Sequence, residues 1–197
     1  MAQWIGRQPP KLDVQVQFLP GAIKSGNCFH LKAETVSKPI GKVGTEQMKT
    51  IVSVIGGRTC TKEVEQMAKD LGKKLSKVAD ILVCGGLSGV MEAVCSGFKS
   101  ENGLTMGILP SYNKVDANKF VDIAIPTGMG LARNVLVVKS ADVVVALPGR
   151  AGTLSEIAYC IQFGIPVVTL GSWDVPGVIK ANNVDEVVKK VKELLTR

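Results

Sequence analysis

From Met48 onward the chain alternates two hydrophobic patterns. Short continuous apolar runs end in glycine or proline, and longer stretches repeat apolar residues at helical spacing. Ile51-Val52-Ser53-Val54-Ile55 followed by Gly56-Gly57 reads as a buried strand. Thr61 to Val78 carries Val64, Met67, Ala68, Leu71, Leu75 and Val78 on one helical stripe, with Lys and Glu on the other. The rhythm then continues with a strand at Ile81 to Cys84, a helix from about Val90 to Ser100 and a strand at Leu104 to Leu109, stopped by Pro110. Ser111 to Lys119 is polar and reads as a surface loop, and Val121 to Ile125 as a short strand. Beyond it the pattern predicts a helix from Leu131 to about Ser140, a strand over Val143 to Leu147, a helix from Leu154 to Phe163, a strand over Ile165 to Leu170 and a closing helix from Val184 to Leu195. Such alternation predicts an α/β protein: a Rossmann-like, doubly wound, mainly parallel sheet with helices on both faces, in a single domain.

The first 47 residues break this pattern. They hold four of the nine prolines and, apart from the brief alternation Val14 to Phe18, no sustained period. Residues 1–47 are therefore expected to be an atypical leader, disordered or an upstream extension of the reading frame, with Met48 the candidate start of the domain spanning 48–197. One permitted coding of Gln15 to Leu19 resembles the T-arm of a transfer-RNA gene, as an extended reading frame would produce. A genuine flexible arm is the alternative.

Composition sharpens the picture by exclusion. With 197 residues, 46% hydrophobic and 21% charged, the chain has enough apolar material for one ordinary core. The net charge of +7 is scattered, and six of the 24 basic residues lie in the leader. No aromatic platform is interleaved with them, so no nucleic-acid partner is expected. The apolar run Val135 to Pro148 is interrupted by Lys139 and Asp142, so no membrane span is expected either. Five widely spaced cysteines (Cys28, Cys60, Cys84, Cys95, Cys160) form no C-x-x-C pair and suit a reducing cytoplasm rather than a zinc site. The single histidine, His30, leaves any catalysis to carboxylates, Arg, Lys or backbone amides.

In an open parallel sheet, ligands bind beyond the carboxyl ends of the strands. Four segments meet there: Gly56-Gly57-Arg58; Gly85-Gly86-Leu87-Ser88-Gly89; Gly128 to Asn134; and Gly149-Arg150-Ala151-Gly152-Thr153. Glycines at such positions either make tight turns or let a phosphate approach the amides of the following helix. None is a full G-x-G-x-x-G or a Walker loop. Arg133 and Glu156 stand near the openings of two helices, where an Arg pairs with phosphate and a Glu orients ribose hydroxyls or activates water. Thr153-Leu154-Ser155-Glu156 also has capping-box spacing, which gives Thr153 and Glu156 a purely structural alternative.

The string Pro148-Gly149-Arg150-Ala151-Gly152-Thr153-Leu154-Ser155-Glu156 resembles the P-G-G-x-G-T-x-x-E motif of the LOG (LONELY GUY) family, once mislabelled lysine decarboxylases, and Arg133 matches the arginine that precedes it. Val54 to Gly57, Cys84 to Ala93, Gly107 to Pro110 and Thr127 to Asn134 are similar to the bacterial branch related to molybdenum-cofactor carrier proteins. The resemblance implies a Rossmann-like homodimer or higher homo-oligomer that binds a small phosphorylated ligand. In LOG enzymes the reaction is hydrolysis of the N-glycosidic bond of a nucleoside 5′-monophosphate, with Glu156 and Arg133 the implied catalytic pair. The carriers hold a pterin cofactor in a similar pocket without turning it over.

Two departures stand out. Arg150 replaces a motif glycine, and Asn134 stands where LOG enzymes have lysine, which removes a positive charge. The sequence thus points to a phosphoribohydrolase, with a non-catalytic molybdenum-cofactor carrier or nucleotide sensor as the alternative. Its ligand is a nucleotide or molybdopterin-type compound, and no further cofactor or metal is expected. The residues expected to line the ligand site are Gly56, Gly57, Arg58, Gly85, Gly86, Ser88, Gly89, Asn134, Gly149, Arg150, Gly152 and Thr153.

Overall fold

The computed structural model describes residues 48–196, so the expectations for the leader, with Cys28 and His30, lie outside the described residues. Segments of three to six residues, apolar runs in all but the last, form the strands β1 (Ile51–Ile55), β2 (Ile81–Cys84), β3 (Leu104–Leu109), β4 (Ile123–Pro126), β5 (Val143–Ala146), β6 (Val167–Leu170) and β7 (Ile179–Ala181). Between them lie α1 (Lys62–Leu75), α2 (Val90–Lys99), α3 (Asn134–Lys139) and α4 (Ala151–Phe163), and α5 (Val184–Leu195) follows β7. All seven strands run parallel in the order β4-β3-β2-β1-β5-β6-β7.

This order places the reversal of winding between β1 and β5, which pair from Val52 against Val143 to Ile55 against Ala146. A doubly wound sheet opens a crevice at that point, because the connections on either side leave for opposite faces. The two faces are buried separately. Val52, Val54, Leu82 and Val145 pack with Leu71, Val94 and Val187 of α1, α2 and α5, whereas Ile55, Val83 and Val144 pack with Val137 and Ile157 of α3 and α4. Helices α1 and α2 touch through their backbones: a Cβ at Gly72 would fall 2.2 Å from Val94 O, and one at Gly97 2.0 Å from Lys69 O.

Three local differences from the expected elements bear on function. The helix expected from Leu131 is instead a 3-10 turn, Gly130–Arg133, leading into α3. Gly130 sits at φ 56°, a conformation that an α-helix cannot include. Helix α4 starts at Ala151 rather than Leu154, with Arg150 as N-cap and Leu154 N bonded to Arg150 O. Thr153 therefore lies inside the first turn, and the capping box is not formed. Finally, β7 was not foreseen, since three residues with Lys180 at the centre carry no apolar run.

Candidate functional site

The ends of β1 and β5 are laced together by Gly57 N donating to Pro148 O at 2.9 Å. Above them opens a cavity of about 550 Å³, lined by the Gly56–Thr61 segment, Gly85, Arg133, Asn134, Pro148–Arg150 and residues of the first turns of α4 through Glu156. Close packing explains two of its glycines: a Cβ at Gly57 would meet Thr59 O at 2.7 Å, and one at Gly149 would meet Thr153 Oγ1 at 2.0 Å. Gly152 differs, because a Cβ there would touch only Asn134 Nδ2, at 3.9 Å. The α4 N-terminus has no side-chain cap, so its first amides face the cavity as donors, with the positive end of the helix dipole.

Arg133 and Glu156 are brought together at the cavity wall, each only 6% exposed. The guanidinium Nη1 donates to Asn134 Oδ1 at 2.8 Å and Nη2 to Gly85 O at 3.2 Å, while Nε has no partner. Glu156 Oε1 lies 3.7 Å from Nη1, close enough for charge attraction but too far for a hydrogen bond. Burial pushes the Glu156 carboxyl up to about 7, against the pull of Arg133. Burial lowers the Arg133 pKa from its usual value, opposed by the Glu156 charge. Gly85 is bare because a Cβ would fall 2.4 Å from Arg133 Nη2.

Asn134, which the sequence presents as a lost cation, orients Arg133 by accepting its Nη1 proton. Arg150 is exposed at the cavity edge with φ −100°, a conformation open to any side chain, so its replacement of glycine costs the backbone nothing. Arg58 is likewise exposed at the edge.

Gly86, Ser88 and Gly89 do not line this cavity. They stitch its floor instead: Gly86 N donates to Cys84 Sγ at 3.3 Å, Ser88 Oγ donates to Arg58 O at 3.0 Å, and Gly89 at φ 69° leaves no room for a Cβ beside Arg58 O. Ser88 and Gly89 border a second cavity on the far side of Arg58. The amide of Val90, at the start of α2, is taken by Gly57 O at 3.0 Å.

Sequence reasoning missed Trp173, whose indole Nε1 donates to Gly149 O at 3.1 Å and so braces the loop before α4. No local pattern connects residues 24 apart across a strand. Cys60, Cys84, Cys95 and Cys160 are free thiols. Among the described residues no group of three or more His, Cys, Asp or Glu could hold a metal ion, and no helix is long and apolar enough to cross a membrane.

A parallel sheet with a glycine-lined cavity at its switch point, and a buried Arg–Glu pair in the wall, defines a Rossmann-like protein of the LOG type. The chain belongs to the SLOG cluster 4 family, whose model matches residues 49–196. A protein of Archaeoglobus fulgidus is 41% identical over 119 residues, covering 60% of this chain and 78% of that one. A probable cytokinin riboside 5′-monophosphate phosphoribohydrolase of Oryza sativa subsp. japonica is 30% identical over 116 residues, 56% of this chain. The match spans about half (51%) of the rice protein's length. Among solved structures, the molybdenum cofactor binding protein of Rippkaea orientalis superposes with a TM-score of 0.70 at 34% identity, covering 76% of this chain and 99% of that one.

Proposed function

We propose that this protein binds a small phosphorylated, nucleotide-type ligand in the crossover cavity and hydrolyses the N-glycosidic bond of a nucleoside 5′-monophosphate. The observation that carries this reading is the buried Arg133–Glu156 pair beside the uncapped N-terminus of α4. The phosphate sits on the α4 amides, approached over Gly149 and Gly152, with Arg58 and Arg150 at the edge. At the sugar, the C1′–N bond breaks and its electron pair leaves with the base, which takes up a proton. Water adds to C1′ and passes its proton to Glu156, whose carboxyl, exchanging protons near neutrality, releases it to solvent, the source of the proton the base takes up. The Arg133 charge, 3.7 Å away, favours the ionised form of Glu156, and that carboxylate stabilises the positive charge of the oxocarbenium-like transition state.

The test is release of free base from a panel of nucleoside 5′-monophosphates, with Glu156→Gln and Arg133→Ala as controls. Release that both variants lose establishes the reading, and undiminished release by Glu156→Gln overturns the assigned role.

A second reading is a non-catalytic carrier or sensor of a molybdopterin-type or nucleotide ligand. It is favoured by the likeness to the Rippkaea orientalis protein and by Asn134, which leaves the site one cation poorer than LOG enzymes. No base release, together with a ligand that copurifies, would select it. Under either reading the protein works as a homodimer in the reducing cytoplasm, where its thiols stay free.

A further inference from the structure

The second cavity measures about 580 Å³ and shares Arg58, Thr59 and Cys60 with the first, so a strap of three residues separates two chambers of nearly equal size. Its walls differ from those of the crossover cavity. Glu65 and Lys69 of α1 and Glu92 and Ser96 of α2 line it, and Lys119 and Phe120 lie at its border. The segment carrying Lys119 and Phe120 is fixed: Asn118 N donates to Gly86 O and Asn118 Nδ2 to Leu87 O, both at 2.9 Å, and Phe120 N donates to Asn118 Oδ1 at 3.0 Å. The strap is fixed as well, by Ser88 Oγ on Arg58 O and Val90 N on Gly57 O. The two chambers are thus a standing feature of the folded chain.

From this geometry we infer that the ligand is of dinucleotide type, two heterocycle-bearing halves joined through a pyrophosphate. One half occupies the crossover cavity, the pyrophosphate crosses the strap at Arg58, and the second half lies in the chamber bordered by Phe120. Arg58 is the one cation common to both chambers, and it is exposed with no ion-pair partner among the described residues, so it is available to a bridging anion. Phe120, half-buried, gives a base apolar surface at the border, and Ser88 and Ser96 offer hydroxyl oxygens to a sugar. The inference rests on the nucleotide-binding reading above and specifies its ligand class, a dinucleotide of which the nucleoside 5′-monophosphate in the crossover cavity is one half.

Calorimetric titration of the full chain with AMP, GMP, CMP and UMP, and with the corresponding P1,P2-dinucleoside diphosphates, tests it. At least one dinucleotide should bind tenfold or more tightly than its own mononucleotide. That advantage should shrink to less than twofold in Ser96→Trp, which fills the second chamber, and in Lys119→Glu, an exposed charge reversal that spares the core, while mononucleotide affinity stays unchanged. Dinucleotides that bind no better than mononucleotides, or an advantage that survives both variants, overturn the inference and leave the nucleotide reading standing. Binding of neither class overturns the nucleotide reading and the inference with it.

Discussion

Arg133 Nη1 and Glu156 Oε1 stand 3.7 Å apart, yet the guanidinium gives its hydrogen bonds to Asn134 Oδ1 and Gly85 O. The carboxylate is therefore buried against a charge without being bound by it. This arrangement costs stability and keeps the carboxyl easily protonated, as a proton-transfer group requires.

The cost has a sign that can be measured. Glu156 titrates near 7 in the folded protein, against an ordinary 4.5. Between those values the folded chain keeps a proton that the unfolded chain has released, so stability falls as pH rises through the window and levels off above about 7. The loss is on the order of 3 kcal/mol. In urea unfolding at pH 5 and pH 8, the wild type should lose this amount relative to Glu156→Gln. Glu186, held down near 2 by Lys190 and Asn182, titrates well below the range. In Arg133→Met the decline should continue above pH 7, because the charge that restrains Glu156 is gone. Parallel pH profiles for wild type and Glu156→Gln would show that Glu156 does not titrate there.

Two glycines of the cavity should respond oppositely to alanine. At Gly85 a Cβ would lie 2.4 Å from Arg133 Nη2 and 2.7 Å from Met91 Sδ, so Gly85→Ala must displace the guanidinium. We expect at least a tenfold loss of activity and a lower Tm. At Gly152 a Cβ meets nothing nearer than 3.9 Å, and alanine favours a helix by up to about 1 kcal/mol over glycine. Gly152→Ala should keep or raise Tm while weakening ligand binding, since only an approaching ligand needs that position bare. Full binding by a stabilised Gly152→Ala would remove Gly152 from the site.

Trp173 braces the same loop from outside the cavity. Its indole bond to Gly149 O is made by a residue 41% exposed, so its loss in Trp173→Phe should cost about 1 kcal/mol or less. The expected signature is a severalfold weaker ligand affinity with kcat little changed, because the brace sets the loop and not the Arg–Glu pair. An equal fall in kcat with affinity intact would contradict that assignment.

The sequence made the site legible where chemistry and spacing coincide. Arg133, Glu156 and the Pro148–Thr153 string form recognisable motifs, and the strand runs of β1 and β5 put their glycines at the switch point. It was silent where partners are remote or directions matter. Ser88 and Gly89 share a glycine-rich loop with Gly85, but periodicity cannot say that their side of the loop turns toward Arg58 and away from the crossover cavity. The onset of α4 was misplaced by one turn because Gly152 and Thr153 look like a cap, whereas the extended backbone at Arg150 ends the preceding loop. Asn134 could be counted as a missing charge but not seen as the acceptor that aims Arg133.

The outer surface of α3 and α4 makes the last prediction. Leu136, Tyr159 and Phe163 are 37–40% exposed, a concentration of apolar surface that a monomer rarely leaves to water. Tyr159 and Phe163 stack at 5.9 Å with planes 6° apart, which flattens the patch. Phe163 lies seven residues and about two turns beyond Glu156 at the far end of α4, remote from the Arg–Glu pair. If a second copy covers this face, Phe163→Glu would bury a carboxylate in the dimer but leave it solvated in the monomer, so only the dimer is penalised. Sedimentation at micromolar concentration should give a dimer for the wild type and half that mass for Phe163→Glu, with the far-UV spectrum unchanged. Nucleotide titration of the resulting monomer then separates two arrangements. Unchanged affinity means that each cavity is complete within one chain, and a tenfold loss means that the partner contributes to it. A wild type that sediments as a monomer would refute the homodimer.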